Sequence, residues 1–361
     1  MTVSVAIIVK NGERTLGRCL DSLYEHVDEI VVVDTGSDDA TKEIAARYTE
    51  SIHDFAWCDD FAAARQFAFD RATSDWVMWV DVDDVVAHAE RIKPLLESAP
   101  AAVAGFYWRY VIDWDSAGNP RCVYWRERCV RNDGAFRWVG RVHEVLTAQE
   151  TRTLVQSADI VVEHHPPTGP APEKQGRNLR ILEAEYAESE GFPETRLLFY
   201  LGREYADAGD YPRAIEVLEQ YLRLATWDDE RYLAQTRVAD LQRARANYAQ
   251  ALDADLRALK ICPRWPDAYF GLAETYYFLE DWPKVIHWTE IGRTMFIPDT
   301  MLFTNPLDYR YNWIIYYTNA LHRVGQTESA LTWTRHALEI APDDAWHRHN
   351  FDFFTQTLRP R

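Results

Sequence analysis

Paired cysteines are missing from this 361-residue sequence. The five cysteines are scattered, at Cys19, Cys58, Cys122, Cys129 and Cys262. The absence of any CxxC pair argues against a structural zinc site, and the odd number argues against a disulfide framework. Reduced thiols in a cytosol are the simplest account, so we expect a cytoplasmic protein.

The sequence also lacks long apolar runs and has fewer basic than acidic residues. No apolar run approaches the ~20 residues that a membrane helix needs, and the N-terminal stretch MTVSVAIIVKN lacks the basic region and the length of a signal peptide. The 39 lysines and arginines are outnumbered by 57 aspartates and glutamates, which gives a net charge of −18. Because nucleic-acid binding needs a basic surface, we do not expect a nucleic-acid partner. Because the apolar runs are short, we do not expect a membrane span.

Glycine-rich phosphate-binding loops are absent as well. No GxGxxG follows the first apolar run and no GxxxxGK[ST] occurs, so neither a dinucleotide-binding Rossmann fingerprint nor a P-loop is supported. The first half has instead a regular alternation of elements. Apolar runs at 3–9, 29–34 and 76–80 predict buried strands, and 13–27 and 59–73 have helical spacing. This alternation predicts an α/β, Rossmann-like domain with a mostly parallel sheet and right-handed crossovers.

The stretch WVMWVDVDDVV, residues 76–86, places carboxylates directly after a buried strand. Asp81, Asp83 and Asp84 follow five apolar residues without alternation, a pattern typical of a strand buried on both faces. Ligands of open α/β sheets bind beyond the carboxyl ends of the strands. Oxygen ligands suit Mg²⁺ or Mn²⁺, which keep open positions for substrate phosphates, so we interpret the stretch as a metal–diphosphate site. One aspartate could instead cap a helix, although three within four residues exceed that need.

Four ordered motifs in residues 3–86 resemble the nucleotide-binding half of a family 2 glycosyltransferase of GT-A fold. They are VSVAIIVKNGERTLGRCLDSL, VVVDTGSDDAT, AARQFAFDRATSDWVMWVDVDD and the acidic stretch itself. The resemblance implies an inverting hexosyltransferase with a nucleotide-sugar donor, usually a UDP-sugar. It also implies a divalent cation, Mn²⁺ or Mg²⁺, held by the D-x-D motif.

The same resemblance implies roles for residues near the diphosphate. Asp83 is the expected metal ligand, Asp81 is expected to contact the ribose or the metal, and Asp84 is an alternative ligand. Arg65 is expected near the base or the diphosphate, because an arginine can donate two hydrogen bonds to a phosphate. The other interpretation of Arg65 is a surface residue of its helix.

For the base and the ribose, the resemblance implies contacts from Val9, Lys10 and Asp34. Many family members have a second acid directly after the equivalent of Asp34. This chain has Thr35 there, so a base contact through that position is not implied.

Residues 103–165 are expected to form the acceptor half of the domain. Inverting transfer needs a general base that takes the acceptor's proton as the acceptor attacks the anomeric carbon. We take Glu144, in RWVGRVHEVL, as the candidate base. The alternatives are three aspartates, Asp60, Asp113 and Asp115. A structural ion pair with Arg141 or Arg128 is the other interpretation of Glu144.

Two histidines are candidates for completing the metal site. His143 precedes Glu144 and could bind the metal or a phosphate oxygen, and His164 ends the apolar run IVVEH. In related GT-A enzymes a late histidine or acid often closes the metal site, and this chain resembles that pattern. Each histidine could equally be an ordinary hydrogen-bonded residue.

A proline- and glycine-rich stretch, PPTGPAPEKQG at 166–176, marks a domain boundary. We predict a glycosyltransferase domain over residues 1–170. A linker and connecting helix are predicted over residues 171–192, and an all-α domain over residues 193–361.

The all-α domain is predicted from a repeat. Ala273 and Trp282 lie 34 residues after Ala239 and Tyr248, which is the period of tetratricopeptide repeats. The first of these repeats has small and aromatic residues at the same offsets, namely Gly202, Tyr205, Gly209, Tyr211 and Ala214. We therefore predict a tetratricopeptide-repeat solenoid and expect most of its aromatic residues to be core.

Such repeats usually build a groove for a peptide or another protein, and a brace or a homodimerisation surface is the alternative. The fusion resembles a group of bacterial family 2 enzymes with C-terminal tetratricopeptide repeats, some of which glycosylate peptides or proteins. We therefore expect a peptide, protein or glycan acceptor. The competing hypothesis is a non-catalytic repeat scaffold with a decayed transferase domain.

Overall fold

The computed structural model describes residues 1–114, 118, 120–148, 150–167, 176–191, 193–298, 300–302 and 304–359. The chain divides into two compact units: the first holds residues 1–114 and 122–193, and the second holds residues 115–121 and 194–361, as far as the structure describes them. The start of the predicted linker, residues 171–175, lies outside the described residues. Among those that are described, no helix is long and apolar enough to cross a membrane.

The first unit is an α/β domain. Its strands are β1 (Val3–Val9), β2 (Glu29–Asp34), β3 (Ile52–Asp54), β4 (Trp76–Trp79), β5 (Asp84–Ala87), β6 (Val103–Trp114), β7 (Pro120–Arg131), β8 (Phe136–Val139), β9 (Val145–Ala148) and β10 (Thr153–His164). Its α-helices are α1 (Leu16–Asp21), α2 (Thr41–Ala45), α3 (Phe61–Phe69), α4 (Ile92–Ser98) and α5 (Arg177–Glu188).

Eight strands form one sheet in the order β3-β2-β1-β4-β7-β6-β10-β5, and β8 and β9 form a separate two-stranded sheet. The first four neighbours run parallel, since β1 pairs in parallel with β2 and β4, and β2 pairs in parallel with β3. β7 is antiparallel to β4, and β5 is antiparallel to β10. The predicted mostly parallel, GT-A-like sheet is confirmed.

Helices cover both faces of this sheet, as β1 illustrates. Val5 and Ile7 are wholly buried in one core cluster together with Leu20 of α1. Ala6 points to the other face, where it is buried in a second cluster with Phe69 of α3. A strand that is buried on both faces cannot alternate polar and apolar residues, which explains the unbroken apolar run at 3–9.

After β4 the chain leaves the centre of the sheet for its far edge. β4 lies between β1 and β7, whereas β5 pairs only with β10 at the end of the sheet order. Residues 80–83 make this connection. They therefore carry Asp81 and Asp83 beyond the carboxyl end of a parallel strand, where open α/β sheets bind their ligands.

The helix predicted over 13–27 is shorter in the structure and is confined to Leu16–Asp21. Residues 22–26 form turns instead, in which Leu23 N donates to Leu20 O at 3.0 Å and His26 N donates to Leu23 O at 2.8 Å. Leu20 O also accepts an i to i+4 bond from Tyr24 N at 2.8 Å, whereas the bond from His26 N is of the tighter i to i+3 type, so the regular α-helical pattern is lost through this segment.

The second unit is helical throughout its described regular elements. Its α-helices are α6 (Thr195–Asp207), α7 (Tyr211–Leu224), α8 (Asp228–Ala244), α9 (Tyr248–Ile261), α10 (Asp267–Phe278), α11 (Trp282–Gly292), α12 (Ile314–Arg323), α13 (Thr327–Ile340) and α14 (Ala345–Leu358). A π-helical turn, Asp308–Asn312, precedes α12.

Small residues let consecutive helices of this unit pack in pairs. A Cβ added to Gly202 of α6 would lie only 2.7 Å from Leu218 of α7. The fourth residue of α7, α9 and α13 is in each case a wholly buried alanine, Ala214, Ala251 and Ala330. This recurrence in paired helices confirms the tetratricopeptide type of the unit.

Candidate active site

Residues 81–84 form a tight turn at the end of β4. Asp84 N donates to Asp81 O at 3.0 Å. In return, Asp81 N donates to Asp84 Oδ2 at 2.9 Å. The reciprocal bonds fix the backbone of the acidic stretch, so its side chains have defined directions.

Asp84 is the structural member of the cluster. It is wholly buried, its Oδ2 accepts a hydrogen bond from Arg128 Nη1 at 3.1 Å, and its Oδ1 accepts one from the Tyr110 hydroxyl at 2.9 Å. Burial by itself would lower the pKa of Arg128, but the charge of Asp84 outweighs burial and raises it. Arg128 is therefore a cation, and it forms a buried ion pair with Asp84 in the interior.

His164 lies beside the same carboxylates. It is the register partner of Asp84 in the antiparallel pairing of β10 with β5. Its Nδ1 is 3.5 Å from Asp83 Oδ1 and 3.2 Å from Asp84 Oδ1. Burial opposes protonation of this ring, but the hydrogen bond to Asp84 and the charge of Asp83 outweigh it, so the pKa of His164 is raised.

The residues at this turn fit a divalent cation. Ligand atoms of Asp83, Asp84 and His164 all lie within 4.8 Å of one another. Two carboxylates and an imidazole are ligands that divalent metals accept. Within this group, Asp84 is held by Arg128 and is also a hydrogen-bond partner of His164.

Arg65 joins the acidic turn to Glu144. Its Nη2 is 2.6 Å from Asp81 Oδ1 and its Nε is 2.5 Å from Glu144 Oε1. Both the guanidinium and the Glu144 side chain are buried, whereas 30% of the Asp81 side chain is exposed. The remaining nitrogen, Nη1, is buried and has no hydrogen-bond partner among the described residues. Arg65 can thus offer a donor to an oxygen of a bound molecule.

The pKa values in this network are governed by charge rather than by burial. Burial would raise the pKa of Glu144, but the charges of Arg65 and Arg126 outweigh burial and lower it. The same competition lowers the pKa of Asp81, where Arg65 and Arg128 are the opposing charges. Both acids are therefore carboxylates at neutral pH.

The indole of Trp79 is shared by three guanidinium groups, those of Arg65, Arg126 and Arg128. Their Cζ atoms lie 4.3, 5.2 and 3.9 Å from the ring centre. Sequence reasoning missed Arg126 and Tyr110 and did not assign Arg128 to Asp84. Arg126 and Arg128 are two apart in β7, so the alternation of a strand places them on one face, and this signal could have revealed the pair.

Glu144 is positioned by the loop between β8 and β9. Gly140 and His143 have φ angles of 90° and 54°, so the loop turns sharply at both residues. Arg126 Nη2 donates to the backbone oxygen of Glu144 at 2.6 Å. Asp60 caps α3 by accepting a hydrogen bond from Ala63 N at 2.8 Å, and this helix carries Arg65.

The residues expected around the base and ribose lie at the ends of β1 and β2, where Val9 and Asp34 are register partners. Asp34 is 1% exposed. Its Oδ1 accepts hydrogen bonds from the backbone N–H groups of Gly36 and Ser37. Its Oδ2 is buried and has no hydrogen-bond partner among the described residues. The carbonyl of Val9 accepts from Thr35 N at 2.8 Å, and Lys10 is exposed. A buried, unsatisfied acceptor suits the hydroxyl or imide group of a nucleoside.

The other candidates take different positions. His143 is half-buried on the loop and does not belong to the described group that could hold a metal. Asp60 is occupied as a helix cap, Asp113 is exposed, and Asp115 lies outside the described residues. Glu144 forms its ion pair with Arg65; Arg141 pairs with Glu188 and Arg128 with Asp84.

Comparisons with known proteins find similar sequences for both parts of the chain. Residues 4–142 match the family model described as glycosyl transferase family 2. A TPR repeat-containing protein of Synechococcus elongatus is 43% identical over 82 residues, 23% of this chain and 20% of that protein. The SPbeta prophage-derived glycosyltransferase SunS of Bacillus subtilis is 25% identical over 246 residues, 64% of this chain and 56% of SunS. The crystal structure of MamA covers 47% of this chain and 95% of its own at 19% identity, with a TM-score of 0.37.

The fold, the acidic turn and the matched residues together define a glycosyltransferase domain of GT-A type. The chain carries a family 2 glycosyltransferase domain joined to C-terminal tetratricopeptide repeats. It spans about half of the length of SunS and a fifth of that of the Synechococcus protein.

Proposed function

We propose that the first unit transfers a hexosyl group from a nucleotide sugar, with a UDP-sugar favoured, to an acceptor with inversion at the anomeric carbon. The observation that carries the proposal is the pairing of Asp83 with His164 beside the Arg65 network. These groups lie at the end of a parallel strand, next to the matched family motifs.

The proposed cofactor is a divalent cation, with Mn²⁺ favoured over Mg²⁺ because Mg²⁺ usually takes only oxygen ligands. Asp83 and His164 would hold it. The carboxylates of Asp81, Asp83, Asp84 and Glu144 outnumber the guanidinium groups of Arg65, Arg126 and Arg128, so a divalent cation would offset the excess negative charge. Such a cation supplies Lewis-acid stabilisation of the negative charge that develops on the departing nucleoside diphosphate.

Arg65 is proposed to hold the site together. By donating to Asp81 and Glu144 at once, it fixes both carboxylates, and its buried Nη1 can donate to a phosphate oxygen of the donor. The nucleoside is assigned to Val9, Lys10 and Asp34, because Asp34 Oδ2 is a buried acceptor that a ligand group would satisfy.

Glu144 is the proposed general base. Its lowered pKa keeps it a carboxylate at neutral pH, which is the form that accepts a proton. The acceptor hydroxyl or thiol would lose its proton to Glu144 and bond to the anomeric carbon as the bond from that carbon to the diphosphate oxygen breaks. The tight ion pair with Arg65 limits the basicity of Glu144, so a displacement of Arg65 towards the donor phosphates would increase it.

The acceptor is proposed to be a peptide or protein that the repeats help to bind, with a glycan as the alternative. The basis is the presence of a helical-repeat unit in the same chain, since such arrays commonly present extended binding surfaces. A non-catalytic scaffold is the competing function. It predicts that the chain does not bind nucleotide sugars.

The test is a calorimetric screen of UDP-, GDP- and dTDP-sugars with and without Mn²⁺, followed by donor hydrolysis assays. We expect one donor to bind in a metal-dependent way and Asp83→Asn to reduce turnover by on the order of 100-fold or more. Asp70→Asn is the matched control, because Asp70 is an exposed aspartate at the end of α3. Full activity of the Asp83 variant would refute the metal role, and the absence of binding to every donor would favour the scaffold.

A further inference from the structure

A cavity in the second unit has no role in the chemistry proposed above. It has a volume of about 300 Å³ and is lined by residues of α8, α10, the π-helical turn and α12. Each of these three α-helices is the first of its pair. The cavity therefore lies on the face that first helices present along the repeat array, which is the usual place for a bound polypeptide.

The cavity wall is acidic. Four carboxylates line it, those of Asp240, Asp267, Glu274 and Asp308, and Arg243 is the one cationic residue of the lining. A cluster of this kind is costly without compensating positive charge, because carboxylates that share a partly desolvated site repel one another.

Arg243 supplies only part of that compensation, because it contacts Asp240 and Glu274 of the lining while it also pairs with the buried Asp255. Its Nη1 donates to the buried carboxylate of Asp255 at 2.6 Å and to the Gly271 carbonyl at 3.0 Å. Its Nη2 donates to Asp240, and its Nε lies 3.3 Å from Glu274 Oε2. One guanidinium, with a single positive charge, is thus shared among three carboxylates.

Among the described residues, the side-chain donors to Asp267 and Asp308 are neutral groups, although the charge of Arg121 also acts on Asp308. The Tyr309 hydroxyl donates to Asp267 Oδ1 at 3.1 Å, and Asn305 Nδ2 donates to Asp308 Oδ1 at 3.0 Å. Asp267 Oδ2 is buried and has no hydrogen-bond partner among the described residues. Burial raises the pKa of Asp267 to about 6, and the charges of Asp308 and Asp240 add to this effect. The pocket therefore contains a carboxylate oxygen that lacks a donor.

The lining suits an organic cation rather than a metal ion. Among the described residues, the acidic groups close enough to share a metal are those at Asp83, and the carboxylates of this cavity do not form such a group. Aromatic rings complete the wall instead. Phe270 and Trp313 both line the cavity and stack with ring centres 5.7 Å apart. Carboxylates combined with aromatic faces suit an ammonium or guanidinium group.

We propose that this cavity binds the side chain of an arginine or lysine in a polypeptide partner. The charge complementarity and the position on the repeat array favour a polypeptide over a free small cation. The inference concerns the second unit alone and does not rest on the proposed donor or metal, so it can fail without affecting them.

The test measures binding of labelled peptides to the full chain by fluorescence anisotropy. A glycine- and serine-spaced peptide containing arginine is compared with lysine and citrulline versions of the same spacing. We expect the citrulline peptide to bind about tenfold more weakly or worse, because the charged hydrogen bonds are lost. We expect Asp308→Asn and Asp267→Asn to weaken binding of the arginine peptide by about the same factor.

Asp253→Asn is the matched control, because it removes a carboxylate of the same unit that pairs with Arg257 on the outer part of α9. Equal weakening by this control, or equal binding of the citrulline peptide, would overturn the proposal. Displacement by free arginine at the same concentration as the peptide would overturn the assignment to a polypeptide. Thermal unfolding separates binding from folding, since we expect Asp267→Asn to be at least as stable as the wild type at neutral pH while it binds the peptide less well.

Discussion

His164 closes β10 directly opposite Asp84, the first residue of β5, and its Nδ1 lies 3.2 Å from Asp84 Oδ1. This single register pair connects the acidic turn to a residue 80 positions later in the chain. It also joins two different functions at one carboxylate, because Asp84 compensates the buried Arg128 on one side and orients the proposed metal ligand His164 on the other.

Replacing Asp84 by asparagine is expected to destabilise the first unit by about 3–5 kcal/mol. The substitution leaves the charge of Arg128 buried without a partner, and breaking one side of a buried ion pair has that cost. Urea unfolding, followed through the transition in which the first unit unfolds, measures this loss in the free energy of unfolding. The double variant Asp84→Asn/Arg128→Met should recover part of the loss, and a single variant as stable as the wild type would contradict the structural role of Asp84.

Arg65→Lys is expected to lower glycosyl transfer by about 100-fold while the domain stays folded. A lysine retains the charge but lacks the planar fork that reaches Asp81 and Glu144 together. Initial-rate assays with saturating donor measure the effect. Arg71→Lys is the control, because Arg71 lies just after the same helix and contacts Phe67 outside the network; an equal loss in both variants would argue against a specific role of Arg65.

Stability is expected to depend on pH through Asp267. The native state binds this proton more tightly than the unfolded chain does, so its stabilising contribution is full below the unfolded pKa of about 3.9. The contribution is lost as the pH rises through the native pKa of about 6. We expect the wild type to lose about 1–2 kcal/mol relative to Asp267→Asn between about pH 4 and 7. Denaturant unfolding at several pH values measures the difference, and parallel pH profiles would contradict it.

Gly12→Ala is expected to cost about 1–3 kcal/mol and to weaken donor binding. A Cβ at this position would lie 2.7 Å from both Val9 and Val82, and relief of such overpacking shifts neighbouring groups. Val82 separates Asp81 from Asp83, so its movement would displace the carboxylates. Gly17→Ala is the control, because its added Cβ would meet nothing closer than 3.9 Å; unfolding and calorimetry of both variants provide the comparison.

The sequence is sufficient to predict the acidic turn and much of the fold. β4 and the D-x-D motif follow from an unbroken apolar run that ends in aspartates, and the start of α3 follows from the capping aspartate Asp60. The helical repeat follows from its period. These features are local, so propensity and spacing determine them.

The pairings within the site could not be predicted in the same way. Which carboxylate meets Arg65 depends on the left-handed backbone of His143 and on a carbonyl held by Arg126. Which histidine meets Asp83 depends on β5 leaving its chain neighbour β4 for the far edge of the sheet. Both are outcomes of tertiary packing between segments distant in sequence, and such packing leaves no periodic signal.

The displacement of β5 to the far edge also has a consequence for the order of folding. Residues 1–80 contain three parallel pairings, namely β1 with β2, β1 with β4 and β2 with β3. The acidic turn, in contrast, contacts His164 only after β10 has joined the sheet. Contacts over such sequence separations form late because long loops must close first. A ribosome-bound chain that ends before His164 should therefore contain the carboxylates without the histidine of the proposed metal site, which would be completed only when nearly all of the domain has been synthesised.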